Sequence, residues 1–368
     1  MLMTVIVPIN ITPTAPARQR KRRLRCSLIG LMLLTWSPRI ISDVTPDGLS
    51  NTQVTVGAGN VPVVDIAAPG ATGVSHNSFA TFNVETQGVV INNSLLDGAS
   101  ALAGAISGNA NFTSLSAGII LNEVSSTSRS TLLGTTEIFG DNASYILANP
   151  NGITCSGCGF IRTPTAVGDM GGLREVLLTT TNSIGYTAGT GDLKDLTIGT
   201  ANIADILIGP GGLDVSEVDI TTLFTRRLIV NGLINAGSNR LQVLAGTGVL
   251  NLDAALASNR TYVATQPGDN AISVAIDASV AGAMYAGQIY IMATEAGVGV
   301  TLDNDLISNA GDIELTAEGD IIYRNANASG TLNVTANAAP PGAAPVLTVI
   351  GNTTAGSDIN WNLSGDAM

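Results

Sequence analysis

Asn309-Ala-Gly-Asp-Ile-Glu-Leu-Thr-Ala-Glu-Gly-Asp-Ile-Ile-Tyr-Arg-Asn-Ala-Asn-Ala-Ser-Gly-Thr-Leu-Asn-Val334 holds two short apolar words, Ile313-Glu-Leu315 and Leu332-Asn-Val334, with the turn-forming Glu318-Gly-Asp320 between them. Within each word the alternation sends one side chain inward and the next outward, as in a strand. The two words begin 19 residues apart, and Ile289-Tyr-Ile291 begins 24 residues before Ile313. Leu228-Ile-Val230 and Leu241-Gln-Val-Leu244 repeat the form upstream, set between Asn231-Gly232, Asn235-Ala-Gly237 and Gly246-Thr-Gly248. Roughly this spacing is what one coil of a parallel β-helix consumes, with a strand on each of two or three faces. A β-sandwich also produces short strands and turn signals. It does not account for rungs that run on without larger core residues. The expected fold is all-β: a right-handed parallel β-helix with an N-terminal β cap and small extra-helical β elements. Leu173-Arg-Glu-Val-Leu-Leu178 is long enough for a helical turn, but Thr179 to Thr181 follow and favour a strand.

Composition agrees. Gly contributes 42 of 368 residues, aromatics only 4%, and hydrophobic residues 45%. That is ample apolar side chain for a core, but not one built on large aromatic anchors. Charge is distributed unevenly. Arg18, Arg20, Lys21, Arg22, Arg23 and Arg25 cluster near the start, whereas from Asp43 onward 9 basic residues face 28 acidic ones, a net charge of −19. So acidic a body argues against nucleic-acid binding, which needs a basic footprint. The basic cluster precedes the short apolar run Cys26 to Trp36. Basic residues followed by an apolar run too short to span a bilayer are the pattern of a secretory signal, assigned here to residues 1–43. Cys26 stands at the head of the apolar run, not after it, and is wrongly placed for a lipoprotein anchor. Beyond the signal, residues 44–225 are strand-rich but irregular, and the regular beat begins near 226. Ala338-Ala-Pro-Pro-Gly-Ala-Ala-Pro345 reads as a loop. Asn360-Trp-Asn-Leu363 opens a further rung without an evident polar cap, which predicts a fragment or an interrupted reading frame.

The densest local signal is Ala148-Asn-Pro-Asn-Gly-Ile-Thr-Cys-Ser-Gly-Cys-Gly-Phe160. Asn149-Pro150-Asn151-Gly152 is a turn by its chemistry, because Pro fixes φ while Asn and Gly accept positive φ. Tyr145-Ile-Leu147 leads in and Phe160-Ile161 leads out. Taken alone, this describes a tight hairpin or a β-helix corner.

The turn is one of several words that stand in order: Asn60-Val-Pro-Val-Val-Asp-Ile66, Gly73-Val-Ser-His-Asn-Ser-Phe79, Phe82-Asn-Val84, Gly88-Val-Val-Ile-Asn-Asn-Ser94, Ile119-Ile-Leu-Asn-Glu-Val124, Ala148 to Phe160, Gly282-Ala-Met-Tyr-Ala-Gly287 and Thr294-Glu-Ala-Gly-Val-Gly-Val300. Together they resemble the N-terminal secretion domain of two-partner-secretion exoproteins, the filamentous haemagglutinin, haemolysin and contact-dependent inhibition family. The resemblance implies a secretion domain over 44–300, followed by further β-helix rungs over 301–368. It implies a partner, an outer-membrane barrel transporter of TpsB type with periplasmic POTRA domains, and a destination at the Gram-negative cell surface by way of the periplasm. It carries the family's second signature onto Asn149, Pro150, Asn151, Gly152 and Ile153. The first signature falls on Asn109-Ala-Asn-Phe112, where Ala110 replaces the usual Pro and leaves φ unfixed, so Asn109 and Asn111 carry a degenerate copy.

Cys155 and Cys158 are the only cysteines after the signal. A zinc site needs two more ligands and His76 is the only histidine. A thioredoxin-type pair needs a helix start, which this stretch does not offer. A disulfide made in the periplasm and serving as a local brace is expected, as in those family members that carry the pair. His76, beside Phe79 and Phe82, reads as a hydrogen-bonded structural residue. Gly246-Thr-Gly248 does not complete a nucleotide loop, and Arg226-Arg227 reads as an exposed pair at a rung edge more readily than as a glycan site. No cofactor is expected.

Three functions fit a β-helix. The first is a non-enzymatic export domain of a large adhesin. The second is the delivery stalk of a contact-dependent toxin. The third is a polysaccharide lyase using Ca²⁺ and a basic proton acceptor, with Asp303 and Asp305, or Asp214, Glu217 and Asp219, as its acidic groups. Turn acidity explains those acidic groups, and the export reading is preferred. The receptor is not legible.

Overall fold

The computed structural model describes residues 43–166, 169, 171–190, 192–252, 261–264, 271–337 and 344–364. The signal segment, apart from Asp43, and the Pro-rich stretch 338–343 lie outside them.

The chain winds as a parallel β-helix with three faces. Face one stacks Val74–Phe82, Ile119–Val124, Ser144–Ala148, Leu173–Thr179, Val218–Thr225, Arg240–Ala245, Gln288–Ala293, Ile313–Ala317, Leu332–Asn337 and Ile359–Ser364, each parallel to the next. Face two runs through Ser130–Leu132, Ile153–Cys155, Asp205–Ile208, Arg227–Val230 and Val274–Ala278. Face three runs through Pro62–Asp65, Val89–Asn93, Thr135–Gly140, Cys158–Thr163, Leu213–Asp214, Leu233–Asn235 and Ala283–Ala286. The long strands Gly299–Ser308 and Ile321–Ala328 each serve faces two and three in turn, with a register shift between Leu302 and Asp305 where the corner falls.

The sequence beat is this stacking. Ile289 pairs with Ile313 and Ile313 with Leu332, so the 24- and 19-residue steps are single coils. Leu241 lies one coil before Ile289 on the same face, whereas Leu228-Ile-Val230 belongs to face two. Three inward columns follow from the register: Leu241, Ile289, Ile313, Leu332; then Val243, Ile291, Leu315, Val334; then Ala245, Ala293, Ala317, Ala336. All are buried. On these four coils the last of the columns is alanine, a small side chain packed in the core.

Two antiparallel strands cap the start. Val44–Pro46 lies against the edge of Val74–Phe82, and Gln53–Val56 pairs with Pro62–Asp65. They cover a strand edge that would otherwise offer free N–H and C=O groups.

Two insertions leave the coil and come back to cover it. Ser183–Tyr186 and Leu193–Ile198 loop out after Thr179, and Gly248–Asn251 and Tyr262–Ala264 loop out after Ala245. The four strands form one antiparallel sheet. Leu193, Leu196, Ile198, Leu250 and Leu252 of this sheet pack on Leu121, Ile146, Leu177, Phe224 and Leu244 of face one, making a second apolar core outside the coil. A smaller hairpin, Gly98–Ser100 with Gly104–Ile106, covers face three beside Val63, Val90 and Phe139. The fully buried Glu137 holds it: its carboxylate accepts from Ser100 Oγ, Ala101 N and Leu102 N, each at 2.8 Å.

Candidate functional site

The signature residues build the corner between face one and face two. Strand Ser144–Ala148 ends at Asn149, and strand Ile153–Cys155 begins face two. The Gly152 N–H donates to Asn149 O at 3.1 Å, which closes the turn. Asn149 is fully buried and works as a fastener. Its Oδ1 accepts from the Asn151 N–H at 2.9 Å, while its Nδ2 donates to Ser128 O at 3.0 Å and Ser130 Oγ at 2.9 Å. Asn151 Nδ2 reaches Ser126 O at 2.7 Å. Both asparagines therefore tie the corner to the preceding coil. Gly152 has φ +101°, a region L side chains rarely adopt. A Cβ there would also meet Arg129 Nη1 and lie 2.9 Å from Asp205 O.

Arg129 carries no sequence signal of its own, yet it braces this corner. Nε donates to Thr154 Oγ1 at 2.7 Å, Nη2 to Ile153 O at 2.9 Å, and Nη2 also pairs with the Asp205 carboxylate. One guanidinium thus fastens three successive coils. Beside the corner, Pro150 and Asn151 line a surface pocket of about 480 Å³ whose other wall is Asn182 and Ala201 to Ala204.

The degenerate copy makes the same turn. Asn109 Oδ1 accepts from the Asn111 N–H at 2.9 Å, and the Phe112 N–H donates to Asn109 O at 3.0 Å. Asn109 Nδ2 donates to Ile66 O at 2.9 Å and Asn92 O at 2.8 Å. Asn111 Nδ2 reaches Asn51 O, Asp65 O and Ile66 O. Ala110 does not prevent this closure, because the Asn109 side chain supplies the constraint that Pro would have added. The two turns occupy different corners: Asn109 follows the face-three strands, whereas Asn149 follows face one.

Cys155 and Cys158 are joined by a disulfide with Cα atoms 5.4 Å apart. Both are buried and close the corner from face two to face three, with Gly157 at φ +85° between them. His76 lies in a surface cleft of about 610 Å³, where Nε2 meets Glu123 Oε2 at 2.7 Å and Nδ1 meets Tyr186 OH at 3.3 Å. It ties face one to the covering sheet. Ser78 and Ser125 line the same cleft, and their hydroxyls donate to Asp47 Oδ2, both at 2.5 Å. Partial burial raises the Asp47 carboxyl, but those two hydroxyls and the Leu49 N–H outweigh it and hold the group below the usual aspartate range. Burial pushes the Tyr262 hydroxyl up to about 12, against its hydrogen bond with Thr294.

One expectation is overturned. Arg226 is not exposed at a rung edge: it is fully buried and pairs with the equally buried Glu295. The insertion that leaves the coil after Thr179 brings residues 199–204 across this corner, and nothing local to Arg226-Arg227 announces that cover. Arg227 stays half-exposed, 3.9 Å from Asp277. Of the acidic groups weighed for a lyase, Asp303 and Asp305 make rung-to-rung contacts. Asp303 pairs with Arg324, with Nε to Oδ1 at 2.8 Å, and Asp305 accepts from Asn325 at 2.6 Å. Among the described residues no cluster of His, Cys, Asp or Glu is arranged to hold a metal ion.

Residues 42–323 match the TPS secretion domain. The 16S rRNA endonuclease CdiA of Enterobacter cloacae is 35% identical over 319 residues, which are 86% of this chain and 9% of that protein. The tRNA nuclease CdiA of Yersinia mollaretii is 39% identical over 285 residues, 76% of this chain and 9% of its own length. Filamentous hemagglutinin of Bordetella pertussis is 33% identical over 305 residues, 82% of this chain and 8% of its own length. The chain thus spans less than a tenth of these relatives. The crystal structure of the filamentous hemagglutinin secretion domain superimposes with a TM-score of 0.66 at 29% identity, covering 88% of this chain and 99% of that one.

Proposed function

This chain belongs to the family of TPS secretion domains, and from that premise we propose that it addresses a much larger exoprotein to a TpsB-type outer-membrane barrel through the barrel's periplasmic POTRA domains. Exoproteins of this family travel through the periplasm to the Gram-negative cell surface, and a TPS domain implies an outer-membrane transporter as its partner. The domain's own part is secretion, not catalysis. The observation that carries the proposal is the signature corner at Asn149 to Ile153, intact inside a region that matches the family over residues 42–323.

A β-helix suits this task physically. Each coil needs only the previous coil as a template, so a chain emerging from a pore folds coil by coil. Folding outside opposes back-sliding where no ATP is available. The four-residue disulfide loop is small enough to pass a narrow pore without reduction.

The test is export of the full chain beside its cognate transporter. Asn151→Ala should accumulate folded in the periplasm, yet its appearance in the medium should drop at least tenfold. Unchanged export by Asn149→Ala and Asn151→Ala would remove the signature from the recognition step.

What the exported protein does lies beyond this domain. We propose an adhesin, in keeping with the hemagglutinin relative. The CdiA relatives, named as nucleases, favour a second reading in which the same domain delivers a toxin. Coding sequence continuous with residue 368 that specifies a nuclease domain would decide for the toxin.

A further inference from the structure

A polar ladder descends the edge where face one turns into face two. It starts at the signature corner, where the Asn149 N–H donates to Thr179 O at 2.9 Å. The next residue, Thr180, accepts at its carbonyl from Nδ2 of the buried Asn202, and its Oγ1 meets Thr225 Oγ1 at 2.9 Å. Asn202 O accepts from Arg226 Nη1 at 3.4 Å, and the same nitrogen donates to Thr200 O. The guanidinium then grips both carboxylate oxygens of Glu295, Nε to Oε1 at 2.7 Å and Nη2 to Oε2 at 3.1 Å. Both side chains are 0% exposed.

The partners are 69 residues apart in sequence. In space they share one edge: Thr225 pairs with Ala245 and Ala245 with Ala293, so Glu295 arrives two coils after Arg226. A guanidinium enclosed without its counter-charge is strongly unfavourable. Arg226 therefore gains this carboxylate only once the coil carrying Glu295 has been laid down. Until then residues 199–204, of which Ala201 to Ala204 wall the pocket beside Pro150 and Asn151, are held by Asn202 Nδ2 to Thr180 O and by the Gly199 N–H to Asn182 Oδ1 but lack the completed Arg226–Glu295 brace.

We propose that Arg226 and Glu295 are positioning residues for the signature corner: a latch that closes two coils late and fixes residues 199–204 and the Asn149 turn in their final geometry. The inference rests on the export reading for its purpose, but its test involves no transporter. The pocket wall at residues 199–204 becomes fully fixed only in a domain folded through residue 295.

Amide hydrogen exchange on the full chain tests this, comparing wild type with Glu295→Gln and with Arg226→Met/Glu295→Leu. Exchange should accelerate about a hundredfold at residues 199–204 and about tenfold at 149–152 in Glu295→Gln, with the first face-three strand Pro62–Asp65 unchanged. The double variant should recover most of the melting temperature, since two apolar side chains need no counter-charge. It should still exchange fast at 199–204, having lost the bonds to Thr200 O and Asn202 O. If Glu295→Gln does not accumulate as a folded protein, the double variant carries the same comparison alone. Unchanged exchange at 199–204 would overturn the latch, as would an equal rise across the whole domain. Full protection in the double variant would overturn it too, by reducing the pair to filler.

Discussion

Face one is two surfaces joined end to end. Following one outward column along the axis, the register reads Leu121, Ile146, Leu177, Thr222, Gln242, Tyr290, Glu314, Asn333, Asn360. The neighbouring column reads Ala148, Thr179, Phe224, Leu244, Met292, Thr316, Thr335, Asn362. Backbone geometry is the same throughout, yet the outward side chains change from apolar to polar. The cause is the four-stranded sheet. Where it covers the coil, a strand is buried on both sides, as in Ser144–Ala148, and reads as a continuous apolar run. Where the coil is bare, as in Leu332–Asn337, inward and outward residues alternate. A solenoid can thus carry an elaborated functional end and a repetitive structural end on one scaffold, with the difference confined to outward positions and to what loops out between coils.

Substitutions along one column should separate the two surfaces most strongly. Leu177→Ala, beneath the cover, should cost about 3 kcal/mol in chemical denaturation, through lost burial and the cavity left behind. Asn333→Ala, in the same column on the bare coil, should stay within about 0.5 kcal/mol. Equal effects would show that the covering sheet contributes little. A second comparison sets corner against corner. Gly152→Ala must adopt a strained φ against Arg129 and Asp205, and should lose roughly 2 kcal/mol. Gly297→Ala, at φ +77° with open space around its Cβ position, should lose only about 1 kcal/mol. If the two fall together, Arg129 is not pressed against the signature.

Smaller effects are expected where the constraint is local. The Cys155→Ser/Cys158→Ser variant should lose about 1–2 kcal/mol, because the closed loop is short, and should still be exported at the wild-type level. Failed export would give the disulfide a role beyond bracing. Acid should act least. The Asp47 carboxyl is held below its unfolded value, so its contribution is present above about pH 4 and is lost as pH falls through the depressed folded value. Solvent screening limits it to roughly a few tenths of a kcal/mol. A pH titration of stability in Asp47→Asn should differ from wild type only in its loss of that acidic slope.

The bare coils were legible in the sequence because their alternation reports burial directly: Ile313-Glu-Leu315 says which side chains point in without further context. The covered coils hid the same geometry, since Tyr145-Ile-Leu147 gives no inside or outside until the sheet at 183–264 is placed. The Asn149 turn was legible because its residues dictate it locally. Asn109-Ala-Asn-Phe112 looked weakened without Pro, but the turn rests on the asparagine side chain, which is present. Arg129 and Glu295 could not be picked out by spacing, because each finds its partner coils away, at a distance set by insertion lengths. Arg226 looked exposed for the same reason.

Transporter dependence is the most direct test of the account. The full chain, expressed in a Gram-negative host with and without a cognate TpsB-type barrel, should appear in the medium only when the barrel is present, and should remain periplasmic otherwise. Equal release in the two strains, or none in either, would leave the β-helix intact and contradict its assignment as an export domain.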